Sequence, residues 1–112
     1  MSAQVTIENT EAQMRKGILE LVILSLLARN DAYASDIINE LKQTRLIVVE
    51  GTLYPLLTRL KNGELLNYRW EESTQGPPRK YYTITEKGKE FLGQLNNTWD
   101  ELVGAVNHVK NK

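Results

Sequence analysis

Apolar residues recur along this chain in changing rhythms, and each change marks a new element. From about residue 11 to residue 29, Ile18, Leu19, Val22, Ile23, Leu26 and Leu27 keep helical spacing and fill more than one face, which predicts a central, largely buried helix. Asn30 and Asp31 then supply turn chemistry. Ser35 is placed to cap a second helix over 35–43 that carries Ile37, Ile38 and Leu41 on one side. Residues 46–49 are apolar, mostly β-branched and too few for a helix, so they predict a brief strand. Leu53, Leu56, Leu57 and Leu60 mark the buried face of a third helix, ended at Asn62-Gly63 where glycine reaches the left-handed cap conformation. Residues 65–71 and 80–85 read as two strands around a turn cluster at 73–78, a hairpin with Arg79-Lys80 at its tip. Trp70 is expected to pack its strand onto the core. Thr85-Glu86 starts a last helix that runs to about Val109, in which Leu92, Leu95, Trp99, Leu102, Val106 and Val109 are spaced 3, 4, 3, 4 and 3, an a/d heptad seam.

The order helix, helix, strand, helix, strand, strand, helix predicts an α+β, mainly α fold. It is a winged helix-turn-helix domain with one long C-terminal dimerisation helix. Residues 1–10, polar and without a period, are expected to be a flexible tail; 11–85 form the winged helix and 86–112 the dimerisation helix. Pro55 lacks an N–H, so regular bonding in the third helix should begin near Thr52 or the helix must kink. The face of that helix opposite its leucines holds Gly51, Pro55, Thr58 and Asn62, flanked by Thr52, Tyr54 and Arg59: small, hydroxylated and basic.

Size and composition narrow the possibilities. A chain of 112 residues and 12.8 kDa forms one domain. Its compact folded surface should be about 6,000 Å², with about two thirds of the unfolded surface buried. The absence of cysteine removes disulfides, thiolate metal sites and thiol nucleophiles, and suits a reducing cytoplasm. The longest apolar stretch, Gly17 to Ala28, is interrupted by Glu20 and Ser25 and is too short for a membrane span. The first residues, MSAQVTIENTEAQM, show no basic start followed by an apolar run, so no secretory signal is expected. Fourteen basic residues balance fourteen acidic ones, but the segment from Lys42 to Lys89 carries nine basic against five acidic, a local excess of positive charge.

Nothing points to catalysis, and neither a cofactor nor a metal is expected. His108, the single histidine, falls at an exposed heptad position without a second ligand nearby. Glu71-Glu72 and Asp100-Glu101 are sequence neighbours whose side chains diverge on a strand or a helix, so neither pair serves one substrate as acid and base. No Ser-His-Asp order and no phosphate-cradling glycine loop is present.

In a winged helix-turn-helix the third helix enters a DNA major groove while the hairpin reaches the neighbouring backbone. Gly51 and Thr52 would leave the helix N-terminus open to a phosphate, and Tyr54, Thr58 and Arg59 would offer hydroxyl and guanidinium groups to the groove. Arg79 and Lys80 would hold positive charge away from the body. The heptad seam predicts a homodimer, because a monomer would expose it, and a symmetric pair would set two recognition helices about one DNA turn apart, roughly 34 Å.

The segments GTLYPLLTRLKNGELL (residues 51–66) and GPPRKYYTITEKGKEFL (residues 76–92) resemble the PadR family of winged-helix transcriptional regulators, in particular its smaller group with a single C-terminal helix. The resemblance spans about residues 15–92. It implies a homodimer that binds a pseudo-palindromic double-stranded operator, represses, and lets go when an effector binds. It carries DNA contacts onto Ser35, Thr52, Tyr54, Pro55, Arg79 and Lys80. Val49 stands where members often have a serine, which puts the usual side-chain cap of the third helix in question. Trp99 is read first as interface core; the resemblance adds a second role, stacking on a planar apolar small molecule at the dimer interface. Two competing readings are a winged helix used for protein contact and a DNA-binding dimer without an effector.

Overall fold

The first helix is longer than its apolar period suggests, because a capping residue starts it early. In a computed structural model that describes residues 5–46 and 49–111, α1 runs from Ile7 to Arg29. Thr6 is its N-cap, with the hydroxyl accepting the Asn9 N–H at 3.1 Å. Residues 7–10, expected in a flexible tail, therefore belong to the helix. They carry no apolar stripe, which is why the period missed them. The elements that follow are β1 (Ala32–Tyr33), α2 (Ala34–Lys42), α3 (Glu50–Asn62), β2 (Leu66–Ser73), β3 (Gly76–Ile84) and α4 (Glu86–Lys110). The described residues thus form the winged helix-turn-helix arrangement with one long C-terminal helix.

The three strands pair in the order β1-β3-β2, both pairs antiparallel, with Ala32 opposite Tyr82 and Leu66 opposite Ile84. Strand β1 lies between the turn residues Asn30-Asp31 and α2, in a stretch assigned to no element. The strand expected at 46–49 falls partly on residues outside those described. The inner sheet face carries Ala32, Leu66, Tyr82 and Ile84 toward the helices, where Ile23, Leu24 and Leu27 of α1, Ile37 and Leu41 of α2, and Leu53 and Leu57 of α3 complete the core. Each fully buried leucine or isoleucine among them contributes about 1.5–3 kcal/mol by leaving water. Among the described residues no polar or charged residue is buried in the core.

Helix α2 begins one residue earlier than expected. Its N-cap is Tyr33, whose backbone N–H donates to the Asp36 carboxylate at 3.0 Å, so Ser35 does not cap and lies instead on the exposed first turn. Helix α3 starts at Glu50 behind an N-cap, Val49, that offers no side-chain hydrogen bond. Pro55 consequently sits more than a turn inside the helix, and the Gly51 carbonyl loses the N–H that a residue at that position would donate. At the other end Gly63 has φ −80°, and the left-handed residue is Glu64 at φ 65°. The chain reverses one residue later than the glycine suggested.

Thr85 joins the wing to the last helix. Its hydroxyl donates toward the carbonyls of Glu64 (2.7 Å) and Leu65 (3.1 Å) and accepts the Gly88 N–H at 2.9 Å. Gly88 packs so closely over the start of β2 that any Cβ would overlap the Leu65 carbonyl and Cγ1 of Ile84. Leu92 then enters the chain's own core and Leu95 packs partly against it. Beyond Leu95 the residues of the helix are exposed, with Trp99 still bordering α1. No described helix is long and apolar enough to cross a membrane.

Candidate nucleic-acid interface

The turn of the wing is Thr74-Gln75, and β3 starts at Gly76. Pro77 and Pro78 are accommodated because they lie at the irregularity in the β2 ladder, between the pair Glu71 and Arg79 and the pair Ser73 and Gly76, and because β1 is too short to reach the other side of β3. Arg79 and Lys80, expected at the tip, therefore stand within the strand and point to opposite faces of the sheet.

Arg79 lies on the outer face, with its guanidinium carbon 3.9 Å from the centre of the Tyr33 ring. Tyr33 meets Tyr81 edge-on at 4.7 Å, and the Arg69 guanidinium covers Tyr81 at 4.5 Å. Arg69 in turn bridges Glu71 at 3.1 Å and Asp31 at 3.8 Å. This ladder ties the wing to the residue that caps α2. On the inner face Lys80 sits 4.6 Å from the Tyr68 ring and 5.6 Å from that of Trp70.

One open cleft between α2, α3 and the wing collects Ser35, Tyr54, Thr58, Arg79 and Lys80. Five residues from three separate segments of the sequence thus share one surface, two of them cationic and three hydroxyl-bearing. Tyr33, Trp70 and Tyr82 line it as well. Burial first, then the neighbouring phenols of Tyr54 and Tyr68, push the Tyr82 hydroxyl above its usual range, so it remains a neutral hydrogen-bonding group in ordinary buffers.

The other expected contacts lie outside the cleft. Gly51, Thr52 and Pro55 are exposed on α3 beside it. The Thr52 N–H already donates to the Val49 carbonyl at 2.9 Å, and Glu50 adds a carboxylate to the first turn, so the N-terminus of α3 is less open to a phosphate than expected. Arg59 turns to α1, where it pairs with Glu20 at 2.8 Å. Trp70 is also placed otherwise than expected: it is 62% exposed and packs edge-on against Tyr68 rather than into the core. Alternation along β2 puts Leu66, Tyr68 and Trp70 on one face, but the helices beneath that face end before Trp70. Tyr33, Trp70 and Tyr82 are the aromatic cleft residues that the sequence pattern missed.

A second surface surrounds Trp99. Its ring, 42% exposed, borders shallow apolar recesses against α1 and the α2–α3 connection, lined by Ile18, Val22, Leu26, Leu41 and Leu46. Leu102, Val103, Val106 and Val109 continue an uncovered apolar stripe along α4, and Ile7 and Met14 are exposed on α1. His108 is exposed in the last turn, and the described residues contain no group of three or more side chains able to hold a metal.

Comparison with known proteins agrees with this geometry. The family model described as the transcriptional regulator PadR-like family matches residues 23–94. A crystallographic PadR-like transcription factor from Bacteroides fragilis is 65% identical, with 90% of this chain and 98% of that chain covered and a TM-score of 0.77. A PadR family transcriptional regulator from Eggerthella lenta is 30% identical, with 92% and 90% covered and a TM-score of 0.86. An uncharacterized protein of Lysinibacillus sphaericus is 32% identical over 90 residues, which span 78% of this chain and 83% of that protein.

Proposed function

Because this chain belongs to the PadR-like family of transcriptional regulators, which bind DNA, we propose that it is a homodimeric, ligand-responsive repressor that holds its operator in the cleft between α3 and the wing. The observation that carries the reading is the convergence of Ser35, Tyr54, Thr58, Arg79 and Lys80 on one open surface. Arg79 and Lys80 would neutralise phosphates and set the register of the protein on the duplex. Tyr54 and Thr58, on the exposed face of α3, would meet base edges in the major groove, with Gly51, Thr52 and Pro55 beside them. Residues 11–85 would act as the DNA-binding unit and 86–112 as the dimerisation helix.

The uncovered stripe from Trp99 to Val109 supports dimerisation, since water is a poor cover for so many apolar side chains on one helix. The recesses beside Trp99 support a flat apolar effector that would stack on the indole. Release follows if that ligand binds better to a dimer geometry whose recognition helices no longer match the half-sites.

Titration of the purified protein in salt, on the DNA upstream of its own gene and on operators selected from genomic fragments, tests the reading. Tight sequence-dependent binding is expected, with a salt slope that becomes shallower by about two per protomer in Arg79→Ala/Lys80→Ala. Weak binding on every sequence, unchanged in the double variant, would favour a protein partner for the wing. For the effector, planar apolar compounds should quench Trp99 emission in a Trp70→Phe background and release the operator. Binding and release that ignore all of them would leave a DNA-binding dimer without a ligand.

A further inference from the structure

We propose that Trp70 is itself a DNA contact, an uncharged platform in the wing that packs on the deoxyribose of the backbone strand lying between the wing and α3. The inference rests on the DNA-binding reading above and adds a kind of contact that its cations do not make.

Along the inner face of β2 the side chains go from fully buried Leu66 through partly buried Tyr68 to Trp70, 62% exposed. The large aromatic thus stands where the core has ended. It is nevertheless held in place, edge-on to Tyr68 with ring centres 6.0 Å apart and directly across the ladder from Lys80. The Lys80 ammonium, 5.6 Å from the indole, faces the same cleft that Tyr54 and Thr58 line from the other wall. An ordered apolar surface beside a cation suits a sugar next to a phosphate. The ammonium can take the phosphate oxygen while the indole removes the sugar's apolar face from water, and the indole N–H adds one donor. A protein partner would want the apolar surface extended, whereas here it lies beside Lys80 in a cleft that Arg79 also lines, and these cations favour a polyanion.

A contact of this kind has a signature that a cationic contact lacks. Packing against sugar releases no counterion, so its loss lowers affinity without changing the salt slope. Trp70→Ala is expected to weaken operator binding about tenfold at every salt concentration. Lys80→Ala should instead make the slope shallower by about one per protomer. Trp70→Phe retains most of the apolar face and should stay within about threefold of the parent protein. Since Trp70 buries little within the chain, all these variants should keep the parent's melting temperature and helical circular dichroism. In a Trp99→Phe background the remaining indole is Trp70, and saturating operator should protect it from acrylamide quenching.

If the parent protein binds operator while Trp70 stays as open to acrylamide as before, or if Trp70→Ala binds like the parent, the platform is wrong and the DNA-binding reading stands. A Trp70→Ala defect that appears only as a changed salt slope would also overturn it, because the side chain would then act by placing Lys80. If the parent binds no DNA at all, the reading beneath it fails instead.

Discussion

Gly88 shows how little room the joint between wing and α4 allows. A methyl group there would meet the Leu65 carbonyl, a backbone atom that cannot rotate away. Gly88→Ala should cost at least about 2 kcal/mol, read as a lower urea midpoint at unchanged m-value. Gly17, with nothing within 4 Å of its would-be Cβ, is the control. Gly17→Ala should gain about 0.5–1 kcal/mol from helix propensity alone. Tyr82 makes a prediction in pH. Its pKa is raised in the folded state, above all by burial, so below the ordinary phenol value of about 10 both folded and unfolded chains keep the proton and stability is flat. As pH rises past that value the unfolded chain ionises first, and stability is lost progressively until the folded-state pKa is reached. Chemical denaturation from pH 8 to 11 should show that loss, and Tyr82→Phe should lessen it. Single residues were also where reading from sequence was least secure. Gly63 offered the easy left-handed position, but Glu64 takes it, because the choice depends on where Leu65 must enter the core. Trp70 was assigned the right face and the wrong depth, since alternation along a strand says which side a residue is on and nothing about where the core beneath it stops.

At the scale of elements, the long periodic helices and the two wing strands were legible because each carries its own signal. Helix α4 could be bounded to within a residue or so, as Thr85 caps it and its apolar spacing persists to Val109. Strand β1 was invisible for the opposite reason. Two residues have no period, and Ala32-Tyr33 become a strand only by pairing with Tyr81 and Tyr82, about fifty positions away. That small strand matters to the site, because Tyr33 supports Arg79 from below. Tyr33→Ala should free the guanidinium and weaken operator binding several-fold, by about 0.5–1 kcal/mol, whereas Tyr33→Phe keeps the ring and the affinity. Equal loss in both variants would mean that the phenol hydroxyl, not the ring, carries the effect.

The whole molecule is too open for its mass. Its surface is 8311 Å², against about 6,000 Å² for a compact monomer of this size. Its radius of gyration is 16.4 Å, against about 13 Å for a chain of this length. The outer half of α4, exposed along its length, contributes to the difference. Sedimentation should therefore find a dimer, and Leu102→Ser/Val106→Ser should convert it to a folded monomer with much weaker operator affinity. A parent protein that sediments as a monomer would remove the basis for a symmetric operator. Helix α4 is rooted toward its N-terminal end, where the Thr85 hydroxyl clamps it to the loop between α3 and β2 and Leu92 enters the core. At 1.5 Å per residue its 25 residues make a rod about 37 Å long, so a tilt of about 5° at the root moves the far end by about 3 Å. In a pair joined along these rods, this rooted end would act as the fulcrum of a lever, and its angle would be read out as the distance between two half-sites.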